Sequence, residues 1–243
     1  MPPTLESAQR SDPKHRLAVA LDLPTAREAL ALVDRLEQTC HWFKVGMELF
    51  YAAGLPLLHQ LRDRGFSIFL DLKLHDIPNT VAGAVRSATS TGASLLTVHA
   101  AGGPAMLAAA AEAAQAPGSP RLLAVTVLTS MDAAQLHAIG IETSPADQVL
   151  RLARLAQSSG IPGMVCSAEE VGLLRRELGP EALLIVPGIR PAGAELGDQK
   201  RIATPASAIA QGASMLVVGR PIAQSPNPAA AAQAILAEIQ AAL

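Results

Sequence analysis

Short apolar runs recur at 17–22, 42–46, 67–73, 94–100, 122–128, 163–167, 183–188 and 214–219, each rich in Leu, Val, Ile or Ala and each closed by a polar or turn residue. They are nearly continuous rather than alternating, which is the pattern of parallel strands covered on both faces. The stretches between them carry apolar residues at helical spacing, and their ends are marked. Thr25-x-x-Glu28 and Ser167-x-x-Glu170 have the capping-box form, while Pro104, Pro145 and Pro205 suit first-turn positions. Gly65, Gly92, Gly160, Gly179 and Gly212 each follow an amphipathic run and precede a strand, where a helix commonly ends on a left-handed residue. Eight strand–helix units with no linker predict one α/β domain over residues 17–243, a closed TIM (β/α)8 barrel. An open doubly wound sheet would usually offer GxGxxG after its first strand, and LDLPTARE (21–28) contains no glycine.

Composition narrows the function classes. Of 243 residues half are apolar and 16% charged, so there is ample material for one large core and disorder is excluded for most of the length. The net charge is −2, no basic run occurs, and the aromatics are only four Phe, Trp42 and Tyr51, which argues against nucleic acid as a partner. Cys40 and Cys166 lie far apart and form no CxxC pair, so a reduced, cytoplasmic setting is expected, with Cys166 a small core residue. Residues 1–16 are polar with three prolines and lack the apolar stretch of a secretory signal; they are expected to form a loose tail. Charged residues, Gly or Pro interrupt every apolar stretch before membrane-spanning length, so no membrane association is expected. The Ala-biased stretches 105–116 and 229–243 read as helices rather than linkers.

A parallel barrel carries its chemistry at the C-terminal ends of its strands, so what each run ends with is informative. The first four runs end in or carry Asp22, Lys44, Asp71 with Lys73 and Asp76, and His99; the later ones lead into Thr129-Ser130, Ser167, Pro187-Gly188-Ile189-Arg190 and Gly219-Arg220. Any one of these is as readily a helix cap or turn residue. Convergence of so many on one mouth predicts a site, because buried Asp and Lys are costly unless paired. Arg190 and Arg220 follow the seventh and eighth strands, where barrels commonly hold a phosphate, and Gly188 and Gly219 permit close backbone approach. The long polar segment 190–201 is expected to act as a lid carrying Gln199. In Asp71-x-Lys73 strand geometry projects both side chains to one face, with Asp76 three residues further on. Neighbouring carboxylates favour the protonated lysine, so Lys73 reads as a proton donor rather than a Schiff-base nucleophile. No HExxH, Cys/His cluster, Walker-type loop or GxSxG occurs. Two carboxylates suit Mg²⁺ by ligand type, but the intervening ammonium repels a dication; no metal and no cofactor is expected.

DLKLHDIPNTV (71–81) resembles the signature of the orotidine 5′-phosphate decarboxylase family, Asp-x-Lys-x-x-Asp followed by Ile-Pro-Asn-Thr. The similarity extends through ALDLP (20–24), FKVG (43–46), TVHA (97–100), VTVLTS (125–130), VCSA (165–168), VPGIRP (186–191), GDQKR (197–201) and VVGRPI (217–222). The resemblance implies conversion of orotidine 5′-phosphate to UMP and CO2 without metal or organic cofactor. It implies that Asp22 and Lys44 contact the ribose, Asp71 lies near the substrate carboxylate, and Lys73 protonates C6. Thr129 and Ser130 would face the pyrimidine, and Arg190, Gln199, Gly219 and Arg220 the phosphate. It further implies a homodimer in which Asp76 and Thr80 enter the partner's site. Two alternatives remain open from the residues: a related barrel enzyme, usually Mg²⁺-dependent, acting on a keto-sugar phosphate, and a non-catalytic phospho-metabolite binder.

Overall fold

In the computed structural model, which describes residues 12–191 and 203–243, all eight apolar runs form strands. These are β1 (Leu17–Ala20), β2 (Trp42–Gly46), β3 (Ser67–Leu74), β4 (Leu95–His99), β5 (Arg121–Val125), β6 (Gly163–Val165), β7 (Leu183–Val186) and β8 (Met215–Val218). Each pairs in parallel with the next, and β8 returns to β1 with Leu17 opposite Leu216, closing the barrel. Around it lie α1 (Ala26–Leu36), α2 (Met47–Asp63), α3 (Pro78–Ala88), α4 (Gly103–Ala113), α5 (Ala133–Ala138), α6 (Pro145–Ser158), α7 (Val171–Leu178), α8 (Pro205–Ala210), α9 (Arg220–Ala223) and α10 (Pro228–Gln240). None of the described helices is long and apolar enough to cross a membrane.

The strands are apolar over most of their length because each serves two cores. One set of alternate residues, including Leu17, Val19, Phe43, Val45, Ile68 and Leu70, packs outward against the helices. The other set, including Ala18, Ala20, Trp42, Phe69, Leu95, Leu123, Leu183 and Met215, fills the lumen. Two residues beyond Trp42, Phe69 and Leu95, the lumen-facing positions become Lys44, Asp71 and Thr97, all buried. The polar end of the lumen is therefore built from the same alternation as its apolar floor.

The sequence punctuation acts as expected. Thr25 Oγ1 accepts from Glu28 N–H at 3.2 Å, Pro104, Pro145 and Pro205 occupy first turns, and all five expected helix-ending glycines have positive φ. Ser167 donates its hydroxyl and its N–H to Glu170 Oε2, so this serine serves a one-turn 3-10 helix (Ala168–Glu170). The described end of the stretch expected to be loose is tied down: Asp12 caps a turn at Pro13–His15, and Arg16 donates to the carbonyls of Ala213 (3.3 Å) and Ser214 (3.2 Å). After β7 the chain makes a bridge between Ile189 and Ala203, with Arg190 N–H donating to Ala203 O at 3.0 Å. Residues 192–202, Gln199 and most of the expected lid among them, lie outside the described residues.

Candidate active site

The inward polar positions of β2, β3 and β4 form one connected array. Lys73 donates to both oxygens of Asp71, at 2.9 and 2.8 Å. Lys44 donates to Asp22 Oδ1 at 2.9 Å and lies 3.7 Å from Asp71 Oδ2, so the order of charge is Asp22, Lys44, Asp71, Lys73, alternating in sign. Alternation suits this burial, since each buried ion needs an opposite neighbour and further hydrogen bonds. Asp22 is the solvent-facing end, with 60% of its side chain exposed, against 12% for Asp71.

Asp71 and Lys73 meet, but not by simple strand alternation. β3 pairs with β4 at Leu70–Leu96 and again at Leu74–Val98, four residues against two, so β3 bulges over the Asp-x-Lys motif. Within the bulge Lys73 adopts φ +50°, the only positive φ of a non-glycine residue among the described residues. Such a conformation is disfavoured for a side chain with a Cβ and persists only where its surroundings impose it. Thr97, fully buried on β4, supplies the constraint: its Oγ1 accepts from Lys73 N–H at 2.8 Å and donates to Asp71 Oδ1 at 2.9 Å. Sequence reasoning missed Thr97 as a site residue, since a threonine in an apolar strand also reads as a β-branched strand former. Its place at an inward position, in the TVHA segment of the resemblance, is the signal that could have found it.

At the end of β4, His99 stacks on His75 with ring centroids 5.3 Å apart. Burial, followed by the charges of His75 and Lys73, pushes the His99 pKa below its ordinary value.

Beside the array a cavity of about 200 Å³ is lined by Asp22 and Lys44 on one side and by Gly188, Arg190, Gly219 and Arg220 on the other. Arg190 is buried and Arg220 exposed; Gly188 takes φ +77°, a conformation that suits glycine. Gly219 precedes α9 at the end of β8, and a Cβ there would lie 3.4 Å from that of Ala20. A cationic, glycine-lined recess at the ends of β7 and β8 can hold a phosphate-sized anion. Thr129 is half-buried and Ser130 exposed in the loop after β5. Asp76 and Thr80 stand apart from the array, exposed where the chain enters α3, with Asp76 Oδ1 accepting from Ile77 N–H at 2.6 Å. Among the described residues no three His, Cys, Asp or Glu side chains gather as a metal site would require.

Fold and site define a single-domain (β/α)8 barrel with a sign-alternating Lys/Asp array next to an anion recess. A family model described as "Orotidine 5'-phosphate decarboxylase / HUMPS family" matches residues 15–235, and the chain belongs to that family. It is 57% identical over 228 residues to a protein from Halorhodospira halophila named orotidine 5′-phosphate decarboxylase, across 93% of this chain and 97% of the relative. A protein of the same name from Vibrio cholerae is 49% identical over 235 residues, covering 96% and 99%. The crystal structure of orotidine 5′-phosphate decarboxylase from Lactobacillus acidophilus superposes with a TM-score of 0.81 at 40% identity, covering 92% of this chain and 98% of that one.

Proposed function

We propose that this protein removes CO2 from C6 of orotidine 5′-phosphate to give UMP, in pyrimidine biosynthesis. The observation that carries this reading is the Lys73 ammonium clamped by both oxygens of Asp71, in an array whose Lys44 and Asp22 line an anion recess, in a chain of this family. When the C6–carboxylate bond breaks, CO2 leaves and the electron pair stays on C6 as a vinyl-type carbanion. No carbonyl is placed to delocalise that charge, so its stabilisation is electrostatic, and Lys73 provides the positive charge. Lys73 then gives a proton to C6, and a solvent proton restores the ammonium.

Asp71 lies near the departing carboxylate in this scheme. Lys44 and Asp22, already paired at 2.9 Å, hold the ribose hydroxyls. Thr129 and Ser130 face the pyrimidine, while Arg190, Arg220, Gly219 and Gln199 take the phosphate. Binding energy gained at the phosphate, far from C6, raises turnover where it drives closure over the site. The reaction needs neither metal nor organic cofactor. The working unit is a homodimer in which Asp76 and Thr80 complete the partner's site. Their exposure supports this, as does the apolar surface of Ile77, Met47 and Tyr51 near the same end of the barrel. The catalytic domain is residues 17–243, and the two cysteines, both buried and far apart in sequence, accord with a cytoplasmic location.

The test follows the ultraviolet absorbance of orotidine 5′-phosphate mixed with purified protein and EDTA, since loss of the conjugated carboxylate alters the chromophore. A rapid catalytic change is expected, and none with Lys73→Ala, whose circular dichroism should match wild type. Activity only with an added divalent metal, on a keto-sugar phosphate instead, would replace this reading by the related barrel chemistry.

A further inference from the structure

Beyond the bulge over Asp71-x-Lys73, β3 pairs with β4 at a single position, Leu74 with Val98. The next residue on each strand is a histidine, His75 and His99, and the two rings stack with centroids 5.3 Å apart and planes 22° from parallel. His99 is an ionisable strand end that takes no part in the Lys/Asp array or in the scheme above. Strand alternation puts it on the inward face with Thr97, one layer nearer the mouth. Its Nδ1 is buried and has no hydrogen-bond partner among the described residues. An unused buried nitrogen is destabilising, so the position is served by packing of the flat ring rather than by hydrogen bonding through Nδ1. His75 is exposed, yet its ring also lies close to the turn before α4, since a Cβ on Gly102 would stand 3.3 Å from His75 Cδ2. Burial first, and then His75 and Lys73, lower the His99 pKa, so its ring is neutral at neutral pH and the stack is free of like-charge repulsion.

We propose that His75 and His99 are positioning residues for the reaction: their stacked rings clamp the exit of the β3 bulge to the end of β4 and so hold Lys73 in the positive-φ conformation from which its ammonium meets Asp71. Thr97 fixes the bulge from within through the Lys73 N–H, and the ring pair fixes it from the side of the mouth. A proton donor displaced by about 1 Å can lose about 100-fold in turnover, while a substrate held at its ribose and phosphate stays bound. The effect on turnover rests on the decarboxylase reading; the clamp itself is a property of the backbone and can be read without substrate.

The test compares wild type with His75→Ala, an exposed substitution that spares the core, by two readouts. Amide hydrogen exchange across residues 71–77 is expected to quicken about tenfold or more, with β1 and β5 unchanged. The kcat for orotidine 5′-phosphate should fall about tenfold or more, with KM changed less than about twofold. His75→Phe, which keeps a flat ring, should restore both readouts, whereas His75→Leu, of similar bulk without ring faces, should not. His99→Phe should likewise retain turnover and His99→Leu lose it. His75→Ala combined with His99→Leu should be no worse than the poorer of the two alone, because either one already breaks the stack. Unchanged exchange across 71–77 in His75→Ala would overturn the proposal, as would rescue by His75→Leu equal to that by His75→Phe, or losses in kcat that multiply in the double variant. A fall in kcat accompanied by altered sedimentation would assign the effect to assembly and overturn it equally. Absence of turnover in wild type would overturn the decarboxylase reading instead, and hydrogen exchange would still decide the clamp.

Discussion

Lys73 combines the most strained backbone among the described residues with the ammonium at the centre of the site. Its φ of +50° is what lets the Nζ turn back onto both oxygens of a carboxylate only two residues away. The sequence argument from strand alternation reached the right contact by an incomplete route, because alternation carries no sign of the bulge that makes it. Lys73→Gly and Lys73→Ala remove the same ammonium but differ in tolerance of positive φ. Lys73→Gly is therefore expected to be the more stable of two inactive variants, by about 1 kcal/mol in urea unfolding. Thr97→Val leaves both the Lys73 N–H and an Asp71 oxygen short of a partner; it should cost about 2 kcal/mol of stability and lower kcat more than it raises KM, with Thr97→Ser restoring both. The histidines set a pH dependence of known sign. The His99 pKa is pushed below its ordinary 6.5 by burial first and by His75 and Lys73 next, and burial lowers that of His41 as well. Between the folded value and 6.5 the unfolded chain binds more protons, so stability is flat above this window and falls as pH drops through it. The urea midpoint should therefore decrease between about pH 7.5 and about pH 5.5, and less steeply in His99→Gln.

Strands were the most legible elements, because a strand buried on two faces is apolar at most positions and so stands out as a nearly continuous run. Helix limits were legible where capping is local, as at Thr25 and Ser167. The region after β5 was less so: it holds two helices, α5 and α6, with Asp132 and Gln135 forming a reciprocal cap that the apolar pattern does not display. Long-range side-chain ties were not legible at all. Arg175 on α7 donates to the carbonyls of Gly179, Pro180 and Ala182 at 2.9, 2.9 and 2.8 Å. It also reaches Gly212 O at 2.7 Å and Ser214 Oγ at 3.1 Å, joining the turns that feed β7 and β8. Nothing in the sequence distinguishes it from its exposed neighbour Arg176. Because several carbonyls share one cation, Arg175→Met is expected to lower unfolding stability by about 2–3 kcal/mol, with turnover at saturating substrate largely retained. Gly212 belongs to the same joint: its φ is +103°, and a Cβ there would stand 3.0 Å from Arg175 Cγ.

For the whole molecule, the barrel and its catalytic end follow from the repeat, while assembly enters only through family resemblance. The surface offers a place for it: Tyr51 is 82% and Ile77 67% exposed, with Met47 one turn before Tyr51 on α2. Side chains this large and apolar at one end of the molecule favour a covering partner. Wild type is expected to sediment as a dimer, and Tyr51→Asp should shift it to monomer and lose activity on dilution without losing its melting transition. A wild-type monomer with full activity would remove the shared site. The Ile189–Ala203 bridge bears on a different timescale. It holds the two ends of the excursion after β7 about one strand spacing, ~4.8 Å, apart, before and after whatever runs between them. Doubling the length of chain between such anchored ends adds only about 0.6 kcal/mol of closure cost. Among descendants of this protein, changes in length between these two residues should therefore cost the barrel little, and what selection preserves there is Gln199 rather than a fixed number of residues, while the strands beneath keep their register.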